Sequence, residues 1–224
     1  MRQATAAGLV RVQAGSVSLE GDLHIPQGAA GVVLFAHGSG SSRHSTRNRF
    51  VAGQLQGAGL ATLLIDLLTS DEEAVDQHTG HLRFDISLLA ERLVSATRWL
   101  KDDRSTRSLR VGYFGASTGG GAALVAAAQV PQDVDAVVSR GGRPDLAGAA
   151  LPRVQAPTLL IVGGQDPAVL ELNRAAMARM RAVNRLEIVP GATHLFEERG
   201  ALETVAQLAG DWFFQYLTRA AGQD

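Results

Sequence analysis

The sequence predicts an α/β domain with a mostly parallel central sheet, helices on both faces and no large cap domain. Two observations support this fold class. Short, continuous apolar runs recur along the chain, and such runs are typical of strands buried on both faces of a sheet. Segments with helical periodicity separate the runs. Strands that alternate with helices of this length favour a doubly wound arrangement.

The strand expected at residues 16–25 differs from the later ones. Residues 16–25 alternate between apolar and polar side chains, a pattern typical of a half-buried antiparallel strand. We expect a partner strand before it, beginning near Val10 and Val12. The sheet should therefore start with an antiparallel pair.

The later elements follow in strict alternation. The expected parallel strands are 32–36, 60–66, 109–115, 135–139, 158–164 and 185–191. The expected helices span roughly 46–58, 84–101, 118–130, 167–183 and 198–219. Two connections are long: residues 67–83 are acidic and turn-like, and residues 140–156 are rich in Gly and Pro. Long irregular connections in compact domains often form binding loops.

Composition limits the kinds of site that this chain can hold. A length of 224 residues suits one domain, over residues 1–224. A net charge of -1 gives no long-range attraction to nucleic acid or anionic membrane, so neither is an expected partner. The chain has no cysteine, which excludes disulfides and a Cys nucleophile. Without a signal-like start or an apolar run of about 20 residues, a cytoplasmic location is expected.

A G-x-S-x-G motif at residues 115–119 provides the candidate nucleophile, Ser117. The motif lies between an apolar run and a helical pattern, where a sharp strand-to-helix turn exposes the serine hydroxyl. Three glycines follow at 119–121, and each helical glycine costs about 0.5–1 kcal/mol relative to alanine. Close approach of this helix to the neighbouring strands would explain them.

A serine nucleophile needs an adjacent base that a third group orients. His194 is the candidate base, because it follows the last apolar run and the other five histidines all precede Ser117. Asp166 is the candidate acid, at the end of an apolar run and between Ser117 and His194 in chain order. Asp145 is the alternative, since it also follows a strand end.

The oxyanion of such a reaction needs two backbone N–H donors. Thr118, the residue after the nucleophile, is expected to supply one, and Ser39 in the loop 37–40 the other. His37 opens this loop, and we interpret it as a brace rather than a chemical participant.

Four motifs give the sequence a resemblance to a known superfamily. They are HGSG at 37–40, GASTG at 115–119, GGQD at 163–166 and GATH at 191–194. They make the chain similar to the α/β-hydrolase superfamily over essentially its whole length. Without an inserted cap, it looks most like the dienelactone hydrolase family, whose similar members also occur joined to phosphoribosyltransferase-like domains. The dienelactone hydrolases proper use a Cys nucleophile, so Ser117 takes support away from dienelactone as the substrate.

The resemblance implies an α/β-hydrolase fold and a serine hydrolase that cleaves carboxylic esters without a cofactor. The connection from 140 to 156 is too short for a large lid, so we expect an open site for small or short-chain acyl groups. An acyltransferase or a thioesterase with the same triad is the alternative. A non-catalytic binding protein on this scaffold is a third hypothesis, and the retained Ser, His and Asp argue against it.

Several loop residues are candidates for binding an anionic substrate. Arg43, Arg47 and Arg49 lie in the stretch 37–49 after the first parallel strand, and Arg140 and Arg143 follow another strand end. Guanidinium groups at these positions can hold a carboxylate or phosphate. His44 belongs to the expected pocket rim at 41–45. Every basic residue except Lys101 is Arg, however, so these arginines can equally be ordinary solvated cations. No metal site is expected: the histidines near residue 80 lack the helical i, i+4 pair of a zinc hydrolase.

Overall fold

Eight strands form one sheet in the computed structural model, which describes residues 6–218. The strands are β1 (Ala6–Ala14), β2 (Val17–Ile25), β3 (Val32–Ala36), β4 (Ala61–Ile65), β5 (Val111–Ala116), β6 (Ala136–Arg140), β7 (Thr158–Gly163) and β8 (Asn184–Val189). The helices are α1 (Thr46–Gly57), α2 (Ser70–Thr79), α3 (Ile86–Asp102), α4 (Thr118–Gln129), α5 (Pro167–Met177) and α6 (Ala201–Leu217). Within this range, no helix combines the length and the apolar character needed to cross a membrane.

The strand order is β1-β2-β4-β3-β5-β6-β7-β8. β1 pairs antiparallel with β2, and β2 pairs antiparallel with β4. All pairs from β4 through β3 and β5 to β8 are parallel. The predicted fold class is therefore confirmed: a mostly parallel sheet that begins with an antiparallel pair. The parallel strands end at one edge of the sheet, where ligands bind in folds of this kind.

Each face of the sheet carries its own core. Leu34 and Tyr113 belong to the core beneath α3 and α4, whereas Phe35 and Phe114 belong to the core beneath α1 and α6. The rings of Phe35 and Phe114 lie 4.9 Å apart. Because neighbouring residues of one strand enter opposite cores, the strand sequences are continuously apolar. Among residues 6–218, no separate cap domain interrupts this arrangement.

The connection between β4 and α3 differs from its turn-like prediction, because it contains α2 and a 3-10 helix at Leu82–Phe84. The Thr69 hydroxyl accepts from the Glu72 amide, and the Glu72 carboxylate accepts from the Thr69 amide, which together form a capping box. The buried Asp76 then accepts from the Leu82 amide at 2.6 Å and from the Arg83 guanidinium. Burial alone would raise the pKa of Asp76, but these hydrogen bonds hold it below its ordinary value.

The connection between β6 and β7 forms a 3-10 helix at Pro144–Arg153, broken at Gly148, whose φ is 48°. A second difference from the sequence prediction concerns α5, which ends at Met177 rather than at residue 183.

Candidate active site

Ser117 occupies the turn between β5 and α4 with φ 50° and ψ -121°. A non-glycine residue in this region is strained, and such strain is held only where surrounding contacts fix it. The Ser117 amide donates to the Arg140 carbonyl at 3.2 Å, and the Ser117 carbonyl accepts from the amides of Gly120 and Arg143 at 3.0 Å each. The turn therefore holds Ser117 at the carboxyl edge of the sheet, as the G-x-S-x-G motif predicts.

The glycines around Ser117 let α4 start directly against the sheet. A Cβ on Gly115 would lie 2.6 Å from the Gly119 carbonyl oxygen, and a Cβ on Gly119 would lie 2.5 Å from the His37 carbonyl oxygen. Both distances are far below an ordinary van der Waals contact. The sequence hypothesis that these glycines allow a close approach of helix and strands agrees with this packing.

His194 and Asp166 form a hydrogen-bonded pair. Nδ1 of His194 lies 2.7 Å from Oδ2 of Asp166, which leaves the other ring nitrogen, Nε2, outside this pair, and His194 lines the same cavity as Ser117. Asp166 is also the N-cap of α5, where its other oxygen accepts from the Val169 amide at 3.4 Å. The carboxylate is thus anchored by a helix end while it orients the imidazole. The alternative acid, Asp145, contacts Arg143 instead.

The loop that carries His194 is fixed to the end of β7. The Gln165 amide donates to the Ala192 carbonyl at 2.9 Å, and a Cβ on Gly163 would lie 2.6 Å from the Thr193 carbonyl oxygen. The buried Phe196 has a φ of 58°, a second strained backbone two residues after His194. The loop is therefore packed against the end of β7, and the buried Phe196 anchors it on the C-terminal side of His194.

Ser117 and His194 line one cavity of about 240 Å³. The other lining residues are Gly38, Ser39, Ser41, Ser45, Arg47, Asn48, Ala116, Arg140 and Leu195. Loops after β3, β5, β6 and β8 meet here, as expected for the carboxyl edge of a parallel sheet. The cavity thus contains the candidate nucleophile, the candidate base and two of the candidate anion-binding arginines, Arg47 and Arg140.

A hydrogen bond joins Ser39 and Thr118, the two residues that carry the candidate oxyanion donors. The Ser39 amide donates to the Thr118 hydroxyl at 2.8 Å. The Thr118 amide begins α4, where the first N–H groups have no intrahelical acceptor. A Cβ on Gly38 would lie 3.2 Å from the Ser117 Cβ, so the loop passes directly beside the nucleophile. For Ser39 to serve an oxyanion, its amide must exchange the Thr118 hydroxyl for the substrate oxygen.

His37 uses both ring nitrogens within the fold. Its Nε2 accepts from the Leu67 amide at 3.0 Å, so the proton lies on Nδ1, which donates to the Gly38 carbonyl at 3.0 Å. Burial lowers the pKa of His37, and the nearby Asp66 and Glu73 only partly oppose this effect. A neutral ring with both nitrogens engaged agrees with the interpretation of His37 as a brace for the 37–40 loop.

Three of the candidate anion-binding residues lie outside the cavity lining. Arg43 contacts the carboxylates of Asp66, Glu20 and Asp22. Arg143 binds Asp145 through two hydrogen bonds of 2.8 Å each. His44 is exposed, and its amide donates to the Ser42 hydroxyl. The positive charges of Arg43 and Arg143 are therefore already matched by the protein.

Arg140, in contrast, lines the cavity. It lies close to two residues that the sequence did not indicate, Asn48 and Phe196. Its side chain is 7% exposed and reaches the Asn48 side-chain oxygen at 3.5 Å. Its guanidinium carbon lies 5.8 Å from the centre of the Phe196 ring. Asn48, inside α1, has no motif that marks it. Phe196 could have been suspected only from its closeness to His194 in the chain.

Comparison with known proteins identifies the family and supports the fold. A family model described as the dienelactone hydrolase family matches residues 19–219. The crystal structure of a dienelactone hydrolase from Anabaena variabilis is 63% identical, has a TM-score of 0.94, and aligns with 96% of this chain and 100% of that one. Est1E from Butyrivibrio proteoclasticus, at 16% identity, has a TM-score of 0.77 over 93% of this chain and 98% of its own. That likeness concerns the fold alone.

A curated relative from Mycobacterium tuberculosis is 61% identical over 208 residues, which cover 93% of this chain. Its name proposes a phosphoribosyl transferase, and the match covers 46% of its length, so the chain spans about half of this relative. The family model, in contrast, extends over most of the chain and includes Ser117, Asp166 and His194. The chain thus belongs to the dienelactone hydrolase family.

Proposed function

We propose that this protein is a serine hydrolase that cleaves small carboxylic esters through an acyl-Ser117 intermediate. The observation that carries the proposal is the convergence on one cavity of the strained Ser117 and of His194, whose Nδ1 is held by Asp166 at 2.7 Å. A nucleophile at a strand-to-helix turn, a base beside it and an acid behind the base are the parts that acyl transfer requires.

The proposed reaction has two halves. Nε2 of His194 takes the proton from the Ser117 hydroxyl as Oγ attacks the ester carbonyl, and the Thr118 and Ser39 amides donate to the resulting oxyanion. The tetrahedral intermediate collapses, the C–O bond to the alcohol breaks, and His194 returns the proton to that alcohol. His194 then takes a proton from a water that attacks the acyl-enzyme, and it returns this proton to Ser117 Oγ as the acyl C–O bond breaks and the carboxylic acid leaves. Asp166 keeps the imidazole in the tautomer that both halves need.

The size of the cavity favours a small substrate. At about 240 Å³ it is smaller than the roughly 300–1,000 Å³ of typical drug-sized ligand sites. Leu195 supplies its one large apolar side chain, and the rest of the lining is polar or small. We therefore expect short acyl groups to be cleaved faster than long ones.

The phosphoribosyl transferase activity in the relative's name is not part of this proposal. The alignment covers 46% of that protein, so its name describes a chain about twice as long as the shared part. The geometry of the shared part supports acyl transfer to water rather than transfer of a phosphoribosyl group.

A panel of 4-nitrophenyl esters from acetate to hexadecanoate tests the proposal. Wild type should cleave the short esters fastest, and Ser117→Ala should lower kcat by about 10⁴-fold or more while it retains the wild-type circular dichroism spectrum. Ser95→Ala, on the exposed face of α3, is the matched control and should keep full activity. No turnover by wild type, or full turnover by Ser117→Ala, would contradict the assignment, and a rate that rises toward hexadecanoate would contradict the short-chain expectation.

A further inference from the structure

Arg140 is a buried cation without a matching anion. Its side chain is 7% exposed, and neither Nε nor Nη1 has a hydrogen-bond partner among the residues that the structure describes. Within the same residues, no carboxylate forms an ion pair with it. The charged group that influences it most is Arg47, which repels it. Burial first, and then Arg47, lower the pKa of Arg140 to about 10, so it remains a cation at neutral pH.

This arrangement is energetically unfavourable in the free protein. A buried charge is normally paired, because leaving water without a compensating partner costs several kcal/mol. The contacts that Arg140 does make are weak: the amide oxygen of Asn48 at 3.5 Å and the face of Phe196 at 5.8 Å. An interaction that appears only when a ligand binds would explain why the fold tolerates this position.

Other partly or fully buried arginines among the described residues each have a carboxylate partner, although Nε of Arg43 also lacks a hydrogen bond. Each of the following pairs joins an arginine with a side-chain exposure below 40% to a carboxylate: Arg43–Glu20, Arg83–Asp76, Arg92–Glu72, Arg110–Asp135 and Arg143–Asp145. The abundance of arginine therefore explains those residues as structural cations, but it does not explain Arg140. Arg47 lies between the two cases, since its Nη1 contacts the exposed Glu197 at 3.0 Å while its Nε is buried without a partner.

The position of Arg140 connects it to the candidate chemistry. Arg140 lies opposite Ala116 in the β5–β6 register, and its carbonyl accepts from the Ser117 amide. Its side chain and that of Arg47 line the cavity that holds Ser117 and His194. In a space of about 240 Å³, any group that contacts these arginines is close to the bond that Ser117 attacks.

From this geometry we infer that the ester substrate carries an anionic oxygen group, a carboxylate or a phosphate, which Arg140 binds with assistance from Arg47. The inference rests on the proposed esterase function and names the class of ester. A guanidinium presents its N–H donors in a planar fork that fits the oxygens of either anion. The group is separated from the ester carbonyl by a short spacer, because the cavity is small. The carboxylates on Arg43 and Arg143 leave those side chains out of this role.

Matched methyl esters test the inference by kinetics. Monomethyl succinate carries a carboxylate, methyl 3-phosphonopropanoate carries a phosphonate, and methyl 4-oxopentanoate is a neutral ester of similar shape. Wild type should prefer one or both anionic esters in kcat/KM. Arg140→Gln should raise KM for the preferred anion by at least about 30-fold and change KM for the neutral ester by less than about 3-fold. Arg174→Gln, which removes an exposed arginine that does not line the cavity, should leave both values unchanged. Equal effects of Arg140→Gln on all three esters would overturn the inference, as would a wild type without preference.

Binding to Ser117→Ala separates this inference from the esterase proposal. Calorimetry with the three esters should give a Kd at least about 10-fold lower for an anionic ester than for methyl 4-oxopentanoate, and this difference should vanish in Ser117→Ala/Arg140→Gln. Equal Kd values for all three esters would sink the anion site even if the enzyme is an esterase. Strong anion binding by a protein that hydrolyses no ester would instead support the anion site and contradict the esterase proposal. Whichever of the two anionic esters binds more tightly shows whether the site prefers a carboxylate or a phosphate-like group.

Thermal stability provides a readout that a structural role of Arg140 would not give. Because the charge is unpaired in the free protein, Arg140→Met should match or exceed the wild-type Tm while it loses anion binding. A lower Tm with unchanged anion binding would show that Arg140 serves the fold and would overturn the inference.

Arg47→Gln, at the cavity rim, tests the site without touching the core. It should weaken anion binding by several-fold at an unchanged Tm, and unchanged binding would contradict the role of Arg47.

Discussion

Asp166 joins two tasks in one carboxylate. One oxygen caps α5 through the Val169 amide, and the other holds Nδ1 of His194 at 2.7 Å. Aspartate and asparagine are nearly equivalent as N-caps, but only the carboxylate can keep a proton on Nδ1 and stabilise the imidazolium of the proposed reaction. Structural and catalytic contributions can therefore be separated at this residue.

Asp166→Asn should retain the stability of the fold and lose the esterase activity. The amide preserves the cap, so the change in the free energy of unfolding should stay within about 0.5 kcal/mol. In serine proteases the corresponding change lowers kcat about 10⁴-fold, because the histidine adopts the wrong tautomer, and we expect a loss of that order here. Ester hydrolysis and urea denaturation measure the two quantities. Asp145→Asn, the control at the alternative acid, should leave kcat within a few-fold of wild type; the opposite ranking would assign the acid to Asp145.

For individual residues, sequence order predicted some roles in the candidate site but not others. Ser117, Asp166 and His194 could be proposed because each follows an apolar run, and parallel strands bring such positions to one edge. The roles of the arginines could not be separated in this way. Arg43 is neutralised by Asp66, 23 positions away in the chain, and Arg140 has no such partner. Whether a charge is matched depends on tertiary contacts, which no local pattern of this sequence encodes.

The start of α4 shows how a helix can be placed against strand ends. Gly119 has no room for a side chain, since a Cβ would lie 2.5 Å from the His37 carbonyl oxygen and would also meet the Ala36 carbonyl. These carbonyls belong to backbone and cannot move aside as a flexible side chain can. The loop after β3 and the turn at Ser117 therefore pack in direct contact, which is possible because residue 119 has no side chain.

Gly119→Ala should lower the free energy of unfolding by about 1–3 kcal/mol and reduce the proposed esterase activity, because the displaced backbone carries both candidate oxyanion donors. Gly53→Ala is the matched control, since a Cβ at Gly53 in α1 meets no atom within 4 Å. There the same substitution should raise the free energy of unfolding by about 0.5–1 kcal/mol and leave activity unchanged. Urea denaturation of both variants measures the contrast. Two changes of the same sign would show that α4 is not constrained by this contact.

The elements were predicted best where burial dominates. β3 and β5 are continuous apolar runs buried on both faces, so their sequence pattern and their environment agree. α2 was missed because its residues, SDEEAVDQHT, offer almost no apolar face, and only Asp76 is buried. The capping box at Thr69 and Glu72 was the available signal, and the contacts from Arg83 to Asp76 complete the helix. Local hydrogen bonding, rather than hydrophobic periodicity, specifies that segment.

For the molecule as a whole, the candidate active site depends on a brace that is sensitive to protonation. His37 connects the 37–40 loop to the segment after β4, because its Nε2 accepts from the Leu67 amide while Nδ1 donates to the Gly38 carbonyl. A proton on Nε2 would remove the acceptor and leave the Leu67 amide without its partner. The connection between the 37–40 loop and the segment after β4 therefore requires the neutral ring.

The lowered pKa of His37 sets the sign of the pH dependence of stability. The unfolded chain takes up a proton near the ordinary histidine pKa of about 6.5, whereas the folded chain takes it up only at lower pH. Between these two values the unfolded state binds more protons, so the free energy of unfolding falls as the pH decreases. The contribution is fully present above about pH 6.5, and for a single proton the slope is at most about 1.4 kcal/mol per pH unit.

His37→Gln tests this dependence, because glutamine can accept from the Leu67 amide but does not titrate. Urea denaturation at several pH values from 7.5 to 5 should give a shallower fall for His37→Gln than for wild type, with a difference of up to one proton. The remaining histidines are present in both proteins, so their contributions cancel in the comparison. The hydrogen bonds to Asp76 also stabilise the fold, but its depressed pKa is that of a carboxyl group, so this stability is lost only at more acidic pH. Parallel slopes for the two proteins would mean that His37 takes up its proton equally easily in both states, and the neutral brace would have to be abandoned.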